Sequence, residues 1–72
     1  MVKNSQQVKI LVRTPTTVQY LEDPETGLST PDPQEACVLT NAQADTYIFF
    51  AKEEFARNGA QLIKIIWNKA SG

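Results

Sequence analysis

Apolar and polar residues alternate along Val8-Lys9-Ile10-Leu11-Val12-Arg13, with Val8, Ile10 and Val12 on one side and Leu11 on the other, which predicts a β-strand. Pro15 ends it, because proline has no N–H for a ladder. Thr16-Thr17-Val18-Gln19-Tyr20-Leu21 is β-branched and aromatic and predicts a second strand. Asp23-Pro24-Glu25-Thr26-Gly27 is a turn signature, with proline fixing φ and glycine free to take positive φ. Pro31 and Pro33 extend the irregular stretch, and Ala36 to Leu39 suits one more short strand. Thr40 and Asn41 are both good helix N-caps, and Asp45, in or next to the first turn, suits the helix dipole. A helix is expected from about Ala42 to Arg57, stopped by Asn58-Gly59. Ala60 to Trp67 reads as a strongly hydrophobic final strand. This order predicts an α+β fold, a three- or four-stranded, mostly antiparallel sheet with one helix packed on one face. A single domain over residues 1–72 is expected, with 1–7 and 68–72 expected to fray.

The helix carries more apolar surface than one sheet face can take. Ala44, Tyr47, Ile48, Ala51 and Phe55 share a stripe at the spacing of a buried face. Phe49 lies about 140° from Ala44, and Phe50 about 120° the other way. Either one ring folds beneath the proline-containing stretch 23–33, or at least one meets a partner, as aromatics often do at interfaces. The final strand poses the same problem. Ile63, Ile65 and Trp67 point one way and Leu62, Lys64 and Ile66 the other, and the helix covers only one of these sides. Leu62 and Ile66 are expected on the uncovered side together with Leu11. The candidate partner-binding residues are therefore Phe49, Phe50, Glu53 (one turn after Phe49), Leu62, Lys64 and Ile66. Homodimerisation is the plainest use of such a surface, and a different protein the next.

Composition narrows the chemistry. The chain has 72 residues, 42% of them hydrophobic, near the lower limit for a core without staples, so it packs very well or leans on a partner. Histidine is absent and Cys37 is the single cysteine, which leaves no internal disulfide, no ordinary metal site and no histidine base for a thiol or hydroxyl nucleophile. Paired carboxylates remain formally open, but Glu53 and Glu54 point about 100° apart on a helix. Cys37, in the run Ala36-Cys37-Val38-Leu39, is expected to be a small buried hydrophobe. The three glycines, Gly27, Gly59 and Gly72, make no phosphate-binding loop. Neither catalysis nor a cofactor is expected. Net charge is −1, with Glu22, Asp23, Glu25, Asp32, Glu35 and Asp45 uninterrupted by any base, which makes nucleic acid an unfavoured partner. No run approaches the roughly 20 apolar residues of a membrane span, and the lone thiol suits a reducing compartment, so a cytoplasmic protein is expected.

The ending Glu54-Phe55-Ala56-Arg57-Asn58-Gly59-Ala60-Gln61-Leu62-Ile63-Lys64-Ile65 resembles the close of the small linker polypeptides of phycobilisomes, which end in a helix, a basic residue, a glycine pair and a Lys-Ile-Val-like strand. Val8-Lys9-Ile10, followed by Pro15 and threonines, is similar to the opening of the small core linker. The chain departs from that family in its slightly acidic charge, in Val38-Leu39-Thr40-Asn41 where Val-Pro-Tyr is common, and in having Gly59 alone. The resemblance implies a non-enzymatic assembly or linker module that binds other proteins. From the residues themselves, a small regulator or inhibitor of the phage or accessory type is the alternative, with the acidic stretch 22–35 mimicking nucleic acid against a basic groove.

Overall fold

The computed structural model describes residues 7–67. Its organising element is β1 (Gln7–Arg13), whose residues Val8, Ile10 and Val12 are buried on one side. A short Thr14–Thr17 turn, closed by Thr14 N–H donating to the Thr17 carbonyl, leads into β2 (Val18–Asp23), and the Asp23–Gly27 turn leads into β3 (Leu28–Thr30). In that second turn Gly27 takes φ +79°, its N–H bonds the Asp23 carbonyl, and the Asp23 carboxylate accepts from the Glu25 N–H. A 3-10 turn at Pro33–Glu35, capped by Asp32, precedes β4 (Leu39–Thr40), then α1 (Asn41–Arg57) and β5 (Gln61–Ile66). All strand pairings are antiparallel. Val8 pairs with both Leu39 and Ile66, so β4 and β5 flank β1 on opposite edges, and β2 continues the β4 side with β3 outside it.

The α+β architecture with one helix is as expected, but the sheet has five strands, not three or four. The extra strand is β3, which lies within the stretch expected to be irregular, and β2 begins two residues later than its sequence suggests. Fraying of 1–7 and 68–72 concerns residues outside the described range except Gln7, which pairs with Thr40. Cys37 is half-exposed rather than buried: in that run Ala36 turns inward and Leu39 packs against the core, while Val38 faces out.

Thr40 caps α1 through a capping box, its hydroxyl accepting from the Gln43 N–H while the Gln43 side chain accepts from the Thr40 N–H. At the other end Gly59 adopts φ +79°, and the Ala60 N–H returns to the Phe55 carbonyl, closing the helix as a Schellman motif. The helix lies mainly over β5, and also over β1 and β4. Its face Ala44, Tyr47, Ile48 and Phe55 meets Val8, Ile10, Val12, Leu21 and Leu62 in the core. Asp45 falls outside the first turn, which holds no acid, and its carboxylate pairs instead with Lys64 at 2.5 Å. Both groups are substantially exposed, so the pair contributes at most about 1 kcal/mol.

Phe55 is half-buried at the rim of this core, edge-on to Tyr47 at a centroid separation of 6.4 Å and beneath Gly27. Its partial burial lowers the cost of truncation below that of an enclosed ring. Phe55→Ala should destabilise by about 2–3 kcal/mol. A melt within a degree or two of the parent would mean that the helix phase is wrong.

Candidate protein-docking surface

With one face of α1 fixed on the sheet by Ala44, Ile48 and Phe55, the 100° step forces Phe49 and Phe50 outward on either flank. Phe49 is 68% and Phe50 77% exposed, so neither ring is taken under the 23–33 stretch. They touch each other edge-to-face, with centroids 5.2 Å apart and planes at 83°. Lys52, Glu53 and Glu54, all exposed, follow within the next turn, so an apolar centre is bordered by charges of both signs.

A groove runs along each flank of the helix. On one side, Phe50, Tyr47, Ala51 and Phe55 face the Pro24–Gly27 turn across a groove of about 510 Å³. Burial, then the negative charges of Glu54 and Asp23, pushes the Tyr47 phenol above its ordinary range. On the other side Ile48, Lys52, Glu53 and Ala56 face Ala60 and the Gln61–Ile63 start of the final strand across about 380 Å³. Glu53 thus belongs to the β5 flank of the helix.

The structure separates the remaining candidates from an open sheet face. Lys64 stands opposite Ile10, and Leu62 opposite Val12, so Leu62, Lys64 and Ile66 turn toward the helix. Leu62 packs on the core, Lys64 reaches Asp45, and only Ile66, 60% exposed, extends into solvent. Leu11 does not join them, for it pairs with Ile63 and Tyr20 on the face away from the helix. The phase is decided by β1, whose Val8, Ile10 and Val12 are the residues that fill the helix side.

The face away from the helix is partly covered by the 3-10 turn. Lys9, only 2% exposed, donates to the Pro33 carbonyl at 2.5 Å and lies 4.1 Å from the centre of the Trp67 ring. Thr30, opposite Tyr20 in β2, is buried as well and donates to Glu35 of the same turn. A lysine in a strand is ordinarily a surface base, and the sequence carries no local sign that a turn more than twenty residues away returns to cover this one.

Among the described residues no cluster of three or more His, Cys, Asp or Glu side chains is placed to hold a metal ion. No helix there is long and apolar enough to cross a membrane. The fold and this surface define a small α+β domain with exposed aromatic residues on its single helix. The chain matches no protein-family model, and no curated protein or solved structure is significantly similar to it.

Proposed function

We propose that this domain is a non-enzymatic protein-binding module, an assembly or linker piece of a larger complex, that docks through the outer face of α1. The observation that carries this reading is the Phe49–Phe50 pair, two adjacent rings exposed to water and in contact with each other rather than with the core. Rings so placed add nothing substantial to folding, whereas burying each against a partner supplies about 1.5–3 kcal/mol. The charged border of Lys52, Glu53 and Glu54 supplies register and selectivity. The resemblance of residues 54–65 to phycobilisome linkers belongs to the same class of function.

The acidic stretch favours the inhibitor reading less, because Asp23 and Asp32 cap local turns and Glu35 accepts from Thr30. The two readings differ in salt dependence, steep for a nucleic-acid mimic and shallow for apolar docking.

Phe49→Ala and Phe50→Ala should each leave stability within about 1 kcal/mol of the parent. Each should also weaken the complex by about tenfold or more. The check is a thermal melt of each variant alongside titration against the partner recovered with the parent chain. Collapse of both variants would make the rings core residues, and unchanged affinity would remove the docking role.

A further inference from the structure

β5 is paired with β1 alone, and no other described strand covers its second edge. The Trp67 N–H bonds the Gln7 carbonyl at 2.8 Å, which fixes the alternation of the ladder. Gln61, Ile63 and Ile65 therefore turn their backbone groups toward β1. Leu62, Lys64 and Ile66 present theirs outward. Natural sheets usually protect such an edge with proline, a bulge or unpaired charge. This strand has no proline, its register with β1 is unbroken, and its one charge, Lys64, is engaged by Asp45.

We propose that this edge pairs with the same edge of a second copy, antiparallel about a two-fold axis at Lys64. The proposal goes beyond the docking reading, since it assigns an occupant to an edge which that reading leaves unused. The strand is complementary to itself in this register. Leu62 meets Ile66 of the second copy on the helix side, and Ile63 meets Ile65 of the second copy on the other, with every outward N–H and C=O from Leu62 to Ile66 paired. At the axis the two Lys64 side chains stand opposite each other, a costly arrangement for bare like charges. Here each carries an Asp45 carboxylate, so the axis holds two positive and two negative groups that alternate.

The helices agree with this arrangement. Because α1 lies over β5 and β1, joining two sheets at β5 sets the helices on one face about two strand spacings apart, roughly 10 Å. That is an ordinary distance for packed helices. The flank that would form the seam carries Ile48, Lys52 and Ala56, which leaves Phe49 and Phe50 to the docking face. The interface is isologous and closed, so it ends at a dimer.

The test combines sedimentation equilibrium with amide hydrogen exchange on the parent chain and on a synthetic chain N-methylated at the Lys64 amide, which loses an outward donor but no β1 bond. The parent should double in mass with concentration, with the Leu62, Lys64 and Ile66 amides protected in the dimer and released on dilution. The N-methylated chain should remain a monomer with its fold intact. Should it fail to fold, Asp45→Lys, at an exposed position, crowds like charges around the axis and should weaken the dimer by about tenfold or more. A parent that stays monomeric with those three amides exchanging freely overturns the proposal, as does a dimer that survives either change. Capture of a different protein through Phe49 and Phe50 by the N-methylated chain would leave the docking reading standing while the edge pairing is judged separately.

Discussion

Ile10→Ala is expected to destabilise the domain by about 3–5 kcal/mol, the largest effect of any single truncation here. Ile10 is fully buried in the strand that β2, β4 and β5 all pair with, and it faces the helix between Val8 and Val12. Removing its outer carbons leaves a void bounded by backbone ladders that cannot close inward, so the upper part of the usual range applies. A domain of this length holds roughly 4–11 kcal/mol in total, and a core this small belongs near the bottom of that span. The variant should therefore be largely unfolded, or nearly so, at 37 °C by circular dichroism. A loss below about 1 kcal/mol would place the core elsewhere.

The second large effect is expected at Lys9. Lys9→Ala should cost about 2–4 kcal/mol, from the lost packing of the alkyl stem and the loss of a charged donor to the Pro33 carbonyl, which keeps only the longer bond from the Ala36 N–H. Lys9→Met keeps the stem and loses only the donor and the contact of charge with the Trp67 ring, so its cost should be about 1–2 kcal/mol. Urea melts of the two variants separate packing from polar contact. Equal and negligible losses would mean that the 3-10 turn is not held to the sheet by this side chain.

The contrast between these two positions shows what the sequence makes legible. Ile10 belongs to an alternating run whose direction is fixed by three large aliphatic residues, so strand and buried face follow together. The helix is equally plain, because Thr40 and Asn58-Gly59 mark its ends and its stripe points Phe49 and Phe50 outward. β3 is hidden because it has three residues, one of them an exposed leucine, and follows a turn rich in breakers. The orientation of β5 is hidden for the opposite reason. Both its sides are apolar, so the pattern of Leu62, Ile63, Ile65 and Ile66 leaves the face toward the helix undecided until Ile10 is set opposite Lys64. Its position at the edge is a matter of strand order, which nothing local to the segment encodes. Lys9 is hidden because its cover comes from a distant turn and from Trp67 across the β1–β5 pair.

The central claim, that the outer face of α1 is the docking surface, is tested most directly by photo-crosslinking in the native host. Benzoyl-phenylalanine placed at Phe49 and at Phe50 changes one exposed ring for another and keeps the fold. The same group at Val18, also exposed but on the sheet away from the helix, serves as the control. The expected result is a discrete adduct with one other protein from positions 49 and 50, and none from position 18. Adducts formed equally at all three positions, or only at Val18, would contradict the assignment.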